Sequence, residues 1–298
     1  DLKTNPYSAL EDKADRDIPT ATLQIYEAVA EYLTRKDDHN VLRASAANMC
    51  VRRRWYQGKG EIGDPLTPRK ILNFLSGDIT EKVIQYFIKM GLVGPGKVYS
   101  TVSFGRPLGG FTFQDKEIIA YDQLEWTGES NGIKYTGHPD GIGKRNSDGK
   151  WELIECKSAA NFGFEEFKSA GAGYYLKQAH ALMGTNEAKE LGIQEVRFFY
   201  FRKETGHIWD GLFGFDKTIM DGVLHEMKES IGTRVPARPY GKVPETVRRK
   251  PTGRWTVPWQ CQYCGYLKKC HGEFKLEWNA DRWGNFKPAY IYTDNVSD

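Results

Sequence analysis

The stretch GHPDGIGKRNSDGKWELIECK, residues 137–157, decides how the middle of the chain folds. Two strand-like runs flank Asp148-Gly149, and Asp-Gly between such runs predicts a two-residue hairpin turn. With that turn Asp140 lies opposite Lys157, and Glu155 lies two residues before Lys157 on the same strand. Because side chains alternate between the two faces of a strand, Asp140, Glu155 and Lys157 are predicted to share one face.

Two carboxylates and a lysine on one face favour phosphodiester hydrolysis. Opposed side chains begin about 5 Å apart and diagonal ones about 7–8 Å apart, so Asp140 and Glu155 are close enough to hold one divalent ion. Carboxylate oxygens suit Mg²⁺ or Mn²⁺, which polarise a phosphate and lower the pKa of a bound water. Lys157 would orient that water or offset charge developing in the transition state. The alternative is an ordinary amphipathic hairpin with a surface salt bridge, and a register error of one residue would separate the three groups.

The composition is typical of a soluble globular protein with a substantial hydrophobic core. The 298 residues are 40% hydrophobic and 27% charged, enough for one large domain or two small ones. No stretch approaches the roughly 18 apolar residues that cross a bilayer, and the first residues lack a signal-peptide pattern. We therefore expect a cytoplasmic protein without a membrane partner, encoded by a bacterium, an archaeon, or a phage or virus in its host. The net charge of +3 does not by itself indicate nucleic acid.

Basic residues beside aromatic rings are the better indication of a nucleic-acid partner. Arg52, Arg53 and Arg54 precede Trp55 and Tyr56, a combination that can neutralise phosphates and stack on bases. The alternative is a set of solvated surface charges.

The periodicity along the chain predicts a sheet with helices on either side. Helices are predicted at 77–90, 172–183 and 216–230, strands between 98 and 157 and at 196–201, and an extended basic connector at 232–258. This order favours an α/β fold with a mixed central β-sheet flanked by helices. We expect an N-terminal helical arm over 1–44, the main domain over 45–275 and a polar C-terminal tail over 276–298.

Four of the five cysteines are candidate ligands of a metal or cluster. Cys261, Cys264 and Cys270 form a Cys-x2-Cys-x5-Cys pattern that needs a fourth ligand, and Cys50 is available because Cys156 lies within the hairpin. Four thiolates suit an iron–sulfur cluster or a structural zinc ion. A single Cys-x2-Cys pair, where zinc sites more often have two, favours iron. Cys50 could instead be a buried, unligated thiol.

Pro139-Asp140, fourteen intervening residues and Glu155-Cys156-Lys157 resemble the signature of the PD-(D/E)XK nuclease superfamily, whose core is restriction-endonuclease-like. The resemblance implies that Asp140 and Glu155 bind the metal, that the main-chain carbonyl of Cys156 completes the coordination, and that Lys157 is catalytic. RecB-like members carry a Gly-x-x-x-His helix before the sheet. Here Glu81 takes the histidine's place after Gly77, either as a metal ligand or as a first-turn glutamate favoured by the helix dipole.

A helix bearing a glutamine follows the Glu-x-Lys strand in such nucleases. Gln178 matches it and is a candidate contact to Lys157 or to the scissile phosphate. Tyr174, Tyr175 and His180 on the same predicted helix are weaker candidates for DNA contact, since aromatic residues there more often pack.

The run from Ser45 to Tyr56, together with the late cysteines, is similar to the CRISPR-associated RecB-like exonucleases and to AddB-type nuclease domains. In that group one early and three late cysteines hold a 4Fe–4S cluster, which implies Cys50, Cys261, Cys264 and Cys270 as ligands in a subdomain joining both ends of the domain. The resemblance implies a DNA exonuclease acting on ends or single strands in recombination, repair, viral DNA metabolism or CRISPR adaptation, with helicase, recombination or adaptation proteins as partners. The alternative is a catalytically weak module that binds and holds DNA ends.

Overall fold

A computed structural model describes residues 42–65, 68–113, 116–122, 124–173, 175–247, 250–280 and 286–293. The chain divides into two compact units, the first formed by residues up to Asn48 with Ile71–Met227, the second by Met49–Lys70 with Lys228 onward. The helical arm predicted for 1–44 lies outside the described residues except at its last three positions. Across the described ranges, no helix combines the length and the apolar character needed to cross a membrane.

The first unit is built on a five-stranded mixed sheet. Its strands, in spatial order, are β1 (Tyr99–Ser103), β6 (Gly141–Arg145), β7 (Trp151–Ala159), β8 (Glu195–Arg202) and β9 (Ile208–Gly214). Only β7 and β8 are parallel, and the other neighbours pair antiparallel. Between β1 and β6 the chain forms two hairpins, β2 (Arg106–Phe113) with β3 (Lys116–Asp122), and β4 (Trp126–Ser130) with β5 (Ile133–Gly137).

Helices cover both faces of this sheet. The long helix α2 (Pro68–Leu92) packs Ile84 and Ile88 against the even-numbered residues of β7. The opposite face carries α3 (Asn161–Ala170), α4 (Tyr175–Met183), α5 (Asn186–Glu190) and the first part of α6 (Lys217–Ile231). Burial of apolar side chains on both faces stabilises such a layered arrangement. The prediction of a mixed α/β fold with a central mixed sheet flanked by helices is therefore confirmed.

The register of the β6–β7 hairpin differs from the prediction by two residues. Gly141 pairs with Ile154, which brings Asp140 level with Glu155 rather than Lys157. The connection is a four-residue loop closed by a hydrogen bond from Arg145 N to Lys150 O, so the two-residue Asp148-Gly149 turn was wrong. A shift of two residues returns every side chain to the same face, so the predicted grouping survives.

A buried ionic network links the strands on the face of β7 opposite to Glu155. Glu152, 0% exposed, accepts hydrogen bonds from Tyr99 on β1 and from Arg197 on β8 at 2.7 Å. Arg197 also donates to Asp210 on β9 at 2.7 Å, and Arg145 on β6 reaches Glu152 at 3.4 Å. One residue from each of the five strands thus takes part.

The second unit is a separate α/β structure. It contains α1 (Val51–Gly58), α7 (Leu267–His271) and a sheet in the order β10 (Val243–Val247), β11 (Lys250–Thr256), β13 (Phe286–Tyr292), β12 (Phe274–Ala280). Val257, Leu267 and Tyr292 form its buried core. The predicted connector at 232–258 therefore contains two strands, and the predicted tail at 276–298 contains most of a hairpin. The alternation of Phe274, Leu276 and Trp278 along β12 is the strand pattern that the prediction overlooked.

Candidate functional site

The three predicted charged residues come together where Asp140, just before β6, lies beside Glu155 and Lys157 of β7. Lys157 Nζ lies 2.6 Å from Glu155 Oε2 and 3.3 Å from Asp140 Oδ2. Asp140 Oδ2 also accepts a hydrogen bond from the backbone N–H of Cys156 at 2.7 Å. Asp140 is 5% exposed and Glu155 is 0% exposed, so the charges face each other out of bulk water.

Strand alternation on β7 separates the charged side chains from the thiol between them. The Cys156 side chain points into the apolar cluster that includes Ile84 and Phe199, and only its backbone serves the site. The predicted metal contact of its carbonyl stays a prediction.

Glu81 joins this group through a neighbouring amide that the sequence did not reveal. Glu81 lies in the middle of α2, so the first-turn alternative does not apply. One turn later the buried Gln85 donates from Nε2 to Glu81 Oε1 at 3.1 Å and to the backbone oxygen of Asp140 at 2.9 Å. Gln85 therefore connects the Glu81 carboxylate to the backbone of Asp140, the residue that precedes β6.

The electrostatics of the cluster show an excess of negative charge. Burial, then the charge of Asp140, raises the pKa of Glu81 to about 8 and that of Glu155 to about 7. Burial alone would lower the pKa of Lys157, but Asp140 and Glu155 raise it well above the usual lysine value, and Lys157 remains a cation. Glu155 Oε1 is buried and has no hydrogen-bond partner among the residues that the structure describes. A buried carboxylate oxygen without a donor is costly unless a cation is bound there.

Gln178 on α4 is placed at the same site. Its Nε2 donates to Glu155 Oε2 at 3.2 Å, so the predicted glutamine contacts the glutamate rather than Lys157. Its Oε1 accepts a hydrogen bond at 3.0 Å from Asn48, in the 3-10 helix Ala44–Asn48, a residue that sequence reasoning missed.

The other predicted residues of α4 have different surroundings. The Tyr175 ring lies 5.8 Å from Lys157 Nζ in a cation–π arrangement, at the edge of the site. His180 is buried and stacks on Phe215, with Nδ1 2.7 Å from Leu176 O and Nε2 accepting from the Asp216 N–H, which indicates a structural role. Tyr174 lies outside the described residues.

The four cysteines predicted as ligands all belong to the second unit. Burial first, then the proximity of Cys50, Cys270 and Cys264, raises the pKa of Cys261 to about 12. The Cys264 N–H donates to Cys261 O at 3.0 Å, and the Tyr266 N–H lies 3.4 Å from Cys264 Sγ. The four thiols are thus near one another, whereas Cys156 is in the other unit.

Two segments of the second unit that are far apart in sequence contact each other through aromatic and polar side chains. The Tyr56 and Tyr266 rings stack with centroids 5.3 Å apart, and Tyr266 Oη donates to Glu61 O at 2.8 Å. Lys269 forms an ion pair with Glu61.

The three arginines predicted to contact DNA are not equivalent. Arg54 is only 6% exposed and lies inside the second unit. Arg52 is half-buried, contacts Tyr56 Oη at 3.4 Å, and has Cys270 and Cys50 as electrostatic neighbours. Arg54 is thus less accessible than Arg52, and the DNA contacts of all three arginines stay predictions.

The residues of the first unit fit a hard divalent cation. Among the described residues, no group of three or more His, Cys, Asp or Glu side chains is arranged to hold a metal ion. Mg²⁺ does not require such a group, because it commonly uses one or two carboxylates, several waters and the substrate phosphate. Asp140 and Glu155 provide those carboxylates, and Glu155 Oε1 is the buried oxygen that such an ion would satisfy.

No protein-family model and no curated protein matches the sequence. Among solved structures, the crystal structure of SSO0001 matches at 13% identity, covering 84% of this chain and 95% of that chain with a TM-score of 0.48. An alkaline exonuclease, LHK-Exo from Laribacter hongkongensis, matches at 15% identity over 64% of this chain and 86% of that one, with a TM-score of 0.38. The structure of LHK-Exo in complex with dAMP matches at 16% identity, with the same coverage of both chains and a TM-score of 0.39. At such values the function has to be inferred from the geometry of the site.

Proposed function

We propose that the protein is a metal-dependent nuclease of the PD-(D/E)XK type that hydrolyses phosphodiester bonds of DNA, acting as an exonuclease at ends or on single strands. The convergence of Asp140, Glu155 and Lys157 at one end of a mixed sheet carries this proposal. A structural ion pair needs one carboxylate for one lysine. This site has three carboxylates for one lysine, those of Asp140, Glu155 and Glu81. It also has a buried Glu155 oxygen with no hydrogen bond within the described part of the chain.

In this proposal Asp140 and Glu155 hold Mg²⁺ or Mn²⁺, with Glu81 as a further carboxylate and the carbonyl of Cys156 as a further oxygen. The bound ion would polarise the scissile phosphate and lower the pKa of an attacking water. Lys157, fixed by two ion pairs, would donate a hydrogen bond to the phosphate and offset its developing negative charge. Gln178 would hold Glu155 in place, and Tyr175 would flank the nucleotide beside Lys157.

Cleavage of end-labelled single- and double-stranded DNA, with and without Mn²⁺, tests the proposal. Lys157→Ala should lower the rate by about 10²–10³-fold, the usual effect of removing one group that stabilises a transition state. Lys144→Ala is the matched control, because Lys144 is an exposed lysine on the neighbouring strand β6. Unchanged cleavage by Lys157→Ala would remove the proposed site. DNA binding without any Mn²⁺-dependent cleavage by the unmodified protein would favour a module that holds DNA ends.

Covalently closed single-stranded circles test the exonuclease part separately. An enzyme that requires an end should leave the circles intact while it degrades the linear form of the same sequence. Labels placed at the 5′ or the 3′ terminus of the linear form then give the polarity. Cleaved circles would show an endonuclease instead.

We further propose that Cys50, Cys261, Cys264 and Cys270 hold a 4Fe–4S cluster. In such a cluster each thiolate binds a different iron, so the four sulfurs lie further apart than around a single zinc ion. The mutual electrostatic proximity of the Cys50, Cys261, Cys264 and Cys270 thiols supports this proposal.

Anaerobic purification followed by iron analysis and visible absorbance at about 400 nm tests the cluster. Cys270→Ser should lose both signals. Cys156→Ala is the control that should keep them, because this cysteine lies in the first unit. Zinc without iron in the unmodified protein would reject the cluster. A helicase, recombination proteins or CRISPR adaptation proteins stay the predicted partners.

A further inference from the structure

The amide of Asn48 is connected to the carboxylate of Glu155 through a single residue, Gln178. Asn48 Oδ1 accepts a hydrogen bond from the backbone N–H of Gln178 at 3.2 Å, and Asn48 Nδ2 donates to Gln178 Oε1 at 3.0 Å. Gln178 Nε2 in turn donates to Glu155 Oε2 at 3.2 Å. All three residues belong to the first unit, although Asn48 precedes Gln178 by 130 positions.

The two ends of this chain of hydrogen bonds determine the orientation of both amides. A backbone N–H can only donate, so the Asn48 atom that faces it must be the oxygen. The NH₂ group of Asn48 therefore faces the Gln178 side chain, and the Gln178 atom that accepts its hydrogen bond must be the oxygen Oε1. The Gln178 NH₂ group is left facing Glu155, and a carboxylate accepts that donor.

We propose that Asn48 is a positioning residue of the nucleolytic site. By holding Gln178 Oε1, Asn48 directs Nε2 to Glu155 Oε2 and fixes the rotation of the Glu155 carboxylate. The other carboxylate oxygen, the buried Oε1, then remains available to a divalent cation. The effect on metal and cleavage rests on the proposed nuclease function, whereas the orientation of Gln178 does not.

Asn48→Asp separates this role from simple packing. Aspartate has nearly the shape of asparagine and keeps the oxygen that accepts from the Gln178 backbone. Its second oxygen, however, would face Gln178 Oε1, and two acceptors repel each other. Gln178 would turn its amide over to donate to residue 48, which places its oxygen against Glu155 Oε2. Asn186→Asp, at an exposed asparagine in α5, is the matched control for the added charge.

Calorimetric titration with Mn²⁺ alone provides the first readout. Loss of a group that orients a metal ligand typically costs about 10–100-fold in metal affinity. We expect Asn48→Asp and Gln178→Ala each to weaken Mn²⁺ binding by about tenfold or more, and Asn186→Asp to leave it unchanged. An Mn²⁺ affinity of Asn48→Asp equal to that of the unmodified protein would overturn the proposal.

A double-variant cycle decides whether Asn48 acts through Gln178. Groups that act as a unit are non-additive, so Asn48→Ala combined with Gln178→Ala should bind Mn²⁺ and cleave DNA no worse than Gln178→Ala alone. Losses that multiply would show an independent structural effect and overturn the proposal. The same cycle measured by urea unfolding, without metal, should also be non-additive. If the unmodified protein shows no Mn²⁺-dependent cleavage, the proposed function fails, and the unfolding cycle still decides whether Asn48 holds Gln178.

Discussion

Replacing Gly137 with alanine should disturb both the stability and the site. Gly137 is the last residue of β5 and lies close to Leu182 of α4 and Ala44 of the 3-10 helix. An added Cβ would lie 2.5 Å from Leu182 Cδ2 and 2.8 Å from Ala44 Cβ, which are 0.9 and 0.6 Å short of the 3.4 Å at which ordinary contact begins. The leucine methyl group can rotate away. The alanine Cβ is fixed to its backbone, so the 3-10 helix has to move.

The size of the effect follows from this overlap. Overpacking of a core costs about 1–3 kcal/mol of unfolding free energy. The moved helix ends at Asn48, and a misplacement of about 1 Å near a reacting group can lower a rate by about 10²-fold. With a shift of roughly half that size, we expect Gly137→Ala to cleave DNA about tenfold more slowly under conditions where it is fully folded.

Urea unfolding followed by circular dichroism, and cleavage at 25 °C, measure the two effects separately. Gly222→Ala is the matched control, because Gly222 lies in α6 with nothing within 4 Å of its added Cβ. The same chemical change should stabilise the helix there by up to about 1 kcal/mol. If Gly137→Ala unfolds at the same urea concentration as the unmodified protein, the packing argument is refuted. If it is destabilised but cleaves at the original rate, the positioning argument is refuted.

Three other perturbations have defined outcomes. Arg197→Met should lower the unfolding free energy measured in urea by about 3–5 kcal/mol, because it leaves the buried Glu152 carboxylate underpaired. The control is Lys217→Ala, which removes an exposed ion pair and should change the unfolding free energy by less than about 0.5 kcal/mol. The Mn²⁺ affinity measured by calorimetry should rise between pH 6 and 9, because the pKa values of Glu81 and Glu155 are about 8 and 7 and their protons must leave before the ion binds. An Mn²⁺ affinity that does not change with pH would contradict this. Without metal, the folded protein keeps protons that the unfolded chain releases above its ordinary glutamate pKa of 4.5, so the unfolding free energy should fall as pH rises towards 8. Gln85→Leu should weaken Mn²⁺ binding by about tenfold, because it removes the amide that positions Glu81. An unchanged Mn²⁺ affinity would show that Glu81 does not need the Gln85 amide.

The charged group of the site was predictable because it depends on the parity of strand positions. Asp140, Glu155 and Lys157 share a face in any register that differs by an even number of residues, so the two-residue error did not separate them. The error itself arose from the turn. Asp148-Gly149 is the preferred sequence of a two-residue hairpin, yet Arg145 and Lys150 close a four-residue loop instead.

The supporting amides could not be predicted in the same way. Asn48 and Gln85 act through hydrogen bonds to residues 130 and 55 positions away, and no local period or spacing encodes such a contact. Gln178 was found only through a motif. In the second unit, prolines and basic residues concealed β10 and β11, while β12 and β13 were taken for a tail because the segment is short and polar between its apolar positions.

The ionic network around Glu152 has a consequence for how the sheet can assemble. If β8 slipped by two residues against β7, its apolar side chains would still be buried, but the buried ion pair between Glu152 and Arg197 would be lost. Mispaired sheets are therefore penalised more heavily than hydrophobic patterning alone would penalise them. That specificity comes from the face of β7 turned away from Glu155. The end of the sheet that holds Asp140 and Glu155 can consequently bring repelling carboxylates together, because the alignment of the strands depends on the opposite face of β7.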